Sequence, residues 1–133
     1  QTPDPCAAIQ RNPRRHAWRI LGADGLAALG KALDQADPSD ADAVDAIRLI
    51  LLTGCRSGEI RKLRWTEVRA DRLQLEDSKT GPRPVILSSQ AKELLARRHE
   101  GRLSAFVFPS KLSLNRPVCD FAHHREPIIH CLV

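Results

Sequence analysis

Arg56 and Glu59 stand three residues apart at the end of an apolar run, in Leu51-Leu52-Thr53-Gly54-Cys55-Arg56-Ser57-Gly58-Glu59-Ile60. A guanidinium one helical turn from a carboxylate is often only a surface ion pair, worth about 0–1 kcal/mol. This position offers more. Gly54 can end the preceding helix in a left-handed conformation that only glycine adopts cheaply. Ser57 is a candidate N-cap for the next helix, so scaffold holds Arg56 on both sides. The free N–H groups of a new helix favour an anion. Arginine meets a phosphate with two parallel hydrogen bonds, and Glu59 can hold the guanidinium in place. The chemistry offered is phosphate binding, though spacing alone does not separate it from the surface pair.

The totals fit such a partner. The chain has 133 residues, with 21 Lys and Arg against 16 Asp and Glu, a net charge of +5, and a pI near 9.4. That balance suits a polyanion, nucleic acid first. Candidate backbone contacts are Arg14 and Arg15 near the N-terminus and Arg61, Lys62 and Arg64 just after the Arg56 stretch. Contacts of this kind go mostly to phosphates, so binding should depend on salt and select sequence weakly. Arg97 and Arg98 end a later helix, where cations also complement the dipole. Apolar runs such as 49–52 are far too short to span a membrane. No charged-then-apolar signal follows Gln1. The chain contains no methionine, and the expectation is a fragment or processed product in the cytoplasm. The four cysteines, Cys6, Cys55, Cys119 and Cys131, form no C-x-x-C pair and read as reduced thiols.

The pattern predicts elements able to position these groups. Residues 1–19 hold three prolines and Arg14-Arg15-His16, and read as an extended basic linker. Asp24 can cap a helix whose Leu26, Leu29 and Leu33 share one face. Pro38-Ser39-Asp40 breaks it, and Ser39 or Asp40 can cap a second helix over about 41–53. The Val44, Ile47 and Leu51 stripe, with Ala43, Ala46 and Ile50 beside it and Leu49 and Leu52 nearly closing the circle, predicts burial of its last two turns. A further helix follows Ser57. "RLQLED" and "PVIL" (84–87) read as strands joined by the turn-rich "SKTGPR", a β-hairpin. Ser88 or Ser89 caps the next helix, and "FVF" (106–108) suits a short buried strand. Trp65 reads as a packing anchor. The pattern decays from residue 110, and 111–133 reads as a divergent, irregular tail.

"LLTGCRSGEIRKLRW" resembles the first catalytic box of the tyrosine recombinases, the phage integrase family. In register, "DRLQLEDSKTGPRPVILSSQAKELL" is similar to that family's β-hairpin with its active-site lysine and the serine-capped helix after it. "FVFPS" resembles the lead-in to the second box, and "DPCAAIQRNPRRHAWRILGADGLAALGKAL" the linker and first helix of the catalytic domain. The resemblance covers about 3–110. It implies a fold of mixed α and β, mainly helical, with a small antiparallel sheet from the hairpin, and a partial catalytic domain over 20–110. It implies double-stranded DNA as partner, tetrameric assembly on DNA in intact relatives, and bacterial or phage origin. It also implies no cofactor, no metal and no small-molecule substrate. It makes Arg56 the first catalytic arginine, on the scissile phosphate, with Glu59 in support. Lys79 becomes the hairpin lysine, proposed in the family to protonate the departing 5′-oxygen; by itself it reads as an ordinary hairpin-tip lysine. Preorganised cations of this kind offset charge developing on the non-bridging oxygens, each worth about 2.7–4 kcal/mol of barrier.

Two parts of the family pattern are missing. The chain contains no tyrosine, and tyrosine is the family's nucleophile. "FAHHREP" does not make the His-x-x-Arg box, because the residue three before Arg125 is Ala122. The expectation is a recombinase fragment that binds DNA without cutting it, the alternative being a non-catalytic DNA-binding module or decaying remnant of a mobile element. Loss of later helices would expose apolar surface and favour marginal stability or association. Cys119, His123, His124, His130 and Cys131 are conceivable zinc ligands, but their spacing is not that of a structural zinc site.

Overall fold

A computed structural model describes residues 21–118; the basic stretch with Arg14 and Arg15, the thiols Cys6, Cys119 and Cys131, and the tail histidines lie outside them. The described residues form four α-helices: α1 (Ala23–Asp34), α2 (Ala41–Thr53), α3 (Ser57–Arg61) and α4 (Ser89–Glu100). Strands β1 (Arg72–Leu75) and β2 (Arg83–Ile86) pair antiparallel, Leu73 opposite Val85 and Leu75 opposite Arg83. Strands β3 (Pro109–Ser110) and β4 (Ser113–Pro117) make a second small antiparallel pair. The fold is therefore α+β, mainly helical, with small antiparallel sheets.

The alternation in "RLQL" sends Leu73 and Leu75 inward, where they meet Val85 and Leu87 from the other side of the hairpin. One face of α2 (Ala43, Ala46, Leu49), Ile60 of α3, Ala91 and Leu95 of α4, Leu63, Val107 and Phe108 complete one buried core. A smaller cluster joins Leu29 and Leu33 of α1 to Val44 of α2. Cys55 is a free, buried thiol. Among the described residues no helix is long and apolar enough to cross a membrane.

Several local expectations need correction. α1 begins beyond Gly22 with no side-chain cap, so Asp24 lies in the first turn, where a carboxylate still favours the dipole. Leu26 is exposed while Leu29 and Leu33 are buried. The cap before α2 is made by Asp37, whose carboxylate accepts from Ser39 N at 2.8 Å and starts a 3₁₀ turn over Pro38–Asp40. α2 is buried over 43–46 and at Leu49, and not throughout its last two turns: Leu51 and Leu52 are exposed. The Ala43, Ala46 and Ile50 stripe faces the main core, while the Val44 and Ile47 stripe faces α1 and stops short of Leu51.

"FVF" is buried but is not a regular strand. Phe106 makes an isolated bridge to Arg64, and Val107 N donates to Leu63 O at 2.9 Å. The segment threads the core as single bonds to the chain after α3. Within the segment read as irregular, Ser113–Pro117 forms β4. Its partner residues 109–110 lie just before it, so pairing and not side-chain periodicity makes the strand.

Candidate functional site

Gly54 sits at φ 68°, the left-handed position that stops α2. Arg56 then turns extended, at φ −68° and ψ 148°, and is itself the residue before α3. Ser57 is thus the first helical residue, not the cap. The Arg56 amide is taken by Glu59, whose Oε2 accepts it at 2.8 Å. This reaching back from the third helical residue is half of a capping box. α3 has only five residues, so its N-terminus contributes little field.

Glu59 is the centre of the arrangement. Oε1 accepts from Arg56 Nη1 at 3.3 Å and from Ser78 Oγ at 2.9 Å. Oε2 accepts from Arg83 Nη2 at 2.8 Å. The Glu59 side chain is 6% exposed and that of Arg56 is 55% exposed, so the carboxylate is structural and the guanidinium faces solvent. Burial pushes the Glu59 carboxyl up. The Arg56 amide, the Ser78 hydroxyl and the Arg83 guanidinium bond its ionised form, and with the Arg83 charge they win, holding its pKa at about 2 against the usual 4.5.

Ser78 opens the hairpin turn. Gly81 N donates to Ser78 O at 2.9 Å, and Gly81 has φ 93°, a conformation that favours glycine. Lys79 and Thr80 are the two central residues of this turn, both exposed. The residue before Lys79 and the guanidinium of Arg56 therefore share one oxygen of Glu59.

A second carboxylate repeats the device with the same spacing. Glu67 Oε2 accepts from Arg64 N at 2.9 Å and Oε1 from Glu76 N at 3.0 Å. Glu67 is buried and pins the end of β1 to the 3₁₀ turn Trp65–Glu67.

No protein-family model matches the chain. It is 34% identical over 114 residues to the prophage integrase IntZ of Escherichia coli K12, across 81% of the chain. This likeness supports the tyrosine recombinase family for the chain. It spans 27% of the length of IntZ. The fold agrees with that of solved recombinases. XerA recombinase overlays 90% of the chain, and 43% of its own, with a TM-score of 0.63 at 22% identity. Lambda integrase, solved as a tetramer bound to a Holliday junction, overlays 85% of the chain and 34% of its own with a TM-score of 0.61 at 20% identity.

Within this recombinase fold the sequence-derived candidates separate. Arg56, Glu59 and the Lys79 turn are joined through one carboxylate. Lys62 is exposed and lies 3.7 Å from Asp77. Arg64 places its guanidinium 4.9 Å over the Phe106 ring. Arg61 is the half-buried last residue of α3. Lys62 and Arg64 line a cleft with Glu59, Glu67, Glu76 and Asp77, whose acidic wall does not suit a polyanion. The Arg56 guanidinium does not line that cleft and is exposed to solvent.

Sequence reasoning missed Ser78, Arg83 and Glu67. The Arg64-x-x-Glu67 spacing repeats Arg56-x-x-Glu59 and was a usable signal for Glu67; Ser78 and Arg83 had none. Arg98, read as a dipole complement, instead bonds Asp45 at 3.0 Å and Asp42 at 2.8 Å and lies 4.4 Å over the Phe108 ring. Arg97 reaches Asp45 at 3.1 Å. These two arginines brace α4 against α2, Arg98 from a buried position and Arg97 from a largely exposed one. Trp65 is half-buried against the core, with His99 edge-on at 5.0 Å, as a packing residue should be.

Proposed function

We propose that this chain is the phosphate-binding part of a site-specific DNA recombinase, acting on double-stranded DNA in a bacterial or phage-infected cytoplasm. The observation that carries this reading is the shared Glu59 oxygen, which couples the exposed guanidinium of Arg56 to the turn that displays Lys79. Arg56 takes two oxygens of one backbone phosphate, and Lys79 supplies a second cation to the same group. Glu59 stays ionised and keeps the guanidinium oriented before DNA arrives. In a full recombinase the same pair lowers the cost of charge on the phosphate under attack, and Lys79 is placed to give the leaving oxygen its proton. Assembly with further copies on DNA follows the arrangement solved for lambda integrase on its junction.

A second reading rests on composition. The 133 residues contain no tyrosine, and covalent strand cutting needs an activated nucleophile at the phosphate. This polypeptide by itself then binds duplex DNA as a non-catalytic module.

Titration of a labelled duplex into the purified chain, at several salt concentrations, tests the common part. Arg56→Ala and Lys79→Ala should each weaken binding and flatten the salt dependence, and together they should remove about one phosphate contact, a change of about 0.9 in slope. Binding untouched by both substitutions overturns the assignment. A nicked suicide duplex distinguishes the two readings: a covalent protein–DNA adduct excludes the non-catalytic one, and none is expected.

A further inference from the structure

The loop that carries Lys79 has two feet, and one carboxylate holds both. Ser78, at the end leaving β1, donates to Glu59 Oε1 at 2.9 Å. Arg83, the first residue of β2, donates to Glu59 Oε2 at 2.8 Å. The same carboxylate takes the Arg56 amide and guanidinium. The Arg83 guanidinium turns inward: its Nη2 is on Glu59 and its Nε is buried without a hydrogen-bond partner. The Nε–Nη2 edge, one of the two that could grip a phosphate with two parallel bonds, is therefore taken up, and the side chain as a whole is 36% exposed. Arg56 differs, with its side chain more than half exposed.

We propose that Arg83 is a positioning residue: by holding Glu59 it pins the second foot of the loop and brings Lys79 to the phosphate that Arg56 binds, without touching that phosphate itself. The proposal rests on the duplex-binding reading above. Glu59 is one rigid, buried acceptor on α3, and the loop rides on it from both sides. Removing the Arg83 bond leaves the loop attached through Ser78 alone at this carboxylate, free to pivot about the turn closed by Gly81. Lys79, at the tip, then loses its fixed distance from Arg56.

The test uses the full chain with Arg83→Gln, Arg83→Lys, Lys79→Ala and the Arg83→Gln/Lys79→Ala double variant. If Arg83 acts through Lys79, Arg83→Gln weakens duplex binding by about the same factor as Lys79→Ala, and the double variant is no weaker than either single one. Arg83→Lys, which keeps a long, charged donor for Glu59 where glutamine offers a shorter, neutral one, restores most of the affinity. Additive losses in the double variant overturn the proposal, because they mean that Arg83 contacts DNA independently. A DNA-free measurement decides the pinning. Amide exchange at Gly81 should accelerate about tenfold in Arg83→Gln and return to the wild-type rate in Arg83→Lys, as expected for a locally opened turn. Unchanged Gly81 exchange in Arg83→Gln also overturns the proposal. If the wild-type chain fails to bind the duplex, the reading above fails and takes the phosphate-delivery step with it; Gly81 exchange still shows whether Arg83 pins the loop.

Discussion

The Ser78 hydroxyl donates to Glu59 across 2.9 Å, joining residues 19 apart in sequence. This bond is how a hairpin turn with little structure of its own becomes part of a rigid site. The carboxylate is buried and ionised, and it binds the turn, the guanidinium of Arg56 and the start of β2 while the Arg56 side chain stays more than half exposed. The Glu59 charge is hidden, and those of Arg56 and Lys79 are exposed.

Glu59 makes stability depend on pH in a defined direction. Its folded pKa of about 2 is below its usual 4.5, so it contributes stability that is fully present above about pH 4.5 and is lost as pH falls through about 2. Glu59→Gln should destabilise the chain by about 1–3 kcal/mol at neutral pH. The gap between the two proteins should narrow steadily between pH 4.5 and 2. Urea unfolding at a series of pH values measures it. A gap that widens on acidification would contradict the assigned bonds.

Arg98 and Arg97 should behave differently although they are adjacent. The Arg98 side chain is 13% exposed and that of Arg97 is 64% exposed. Arg98→Ala leaves the buried Asp45 short of its main partner and uncovers the Phe108 ring, and should cost about 3–5 kcal/mol. Arg97→Ala removes an exposed ion pair and should cost less than about 1 kcal/mol. Equal losses in denaturant unfolding would show that the brace between α2 and α4 does not lie where the structure puts it.

Gly54→Ala isolates a backbone effect. A Cβ at this position meets no atom within 4 Å, but φ is +68°. The expected cost is therefore conformational alone, about 1–2 kcal/mol. Gly54→Asn should recover part of it, since asparagine tolerates the left-handed region. If alanine is neutral by thermal unfolding, the helix stop is not held in this conformation.

Ser88 caps α4, its Oγ accepting from Ala91 N at 3.3 Å. Ser88→Ala should cost about 1 kcal/mol. Ser89→Ala, one residue inside the helix, should change stability by less than about 0.5 kcal/mol. The pair of unfolding curves identifies which serine is the cap, a choice that the sequence leaves open.

Local chemistry by itself determined much of this protein. The 41–53 helix, its stop at Gly54, the alternation of Leu73 and Leu75, the hairpin around "SKTGPR" and the serine cap of α4 all follow from backbone preferences and side-chain period, which act within a few residues. So does the pairing of Arg56 with Glu59, one helical turn apart. Tertiary structure alone decided the rest. Which residues of α2 are buried depends on what packs against it. The placement of Arg98 depends on Asp42 and Asp45, on another helix. "FVF" is buried without being a strand because its partner is the chain after α3 and not a neighbouring strand. The convergence of Ser78 and Arg83 on Glu59 spans 19 and 24 residues. No local preference encodes contacts that exist only after loop closure and core packing have brought distant donors to one buried acceptor.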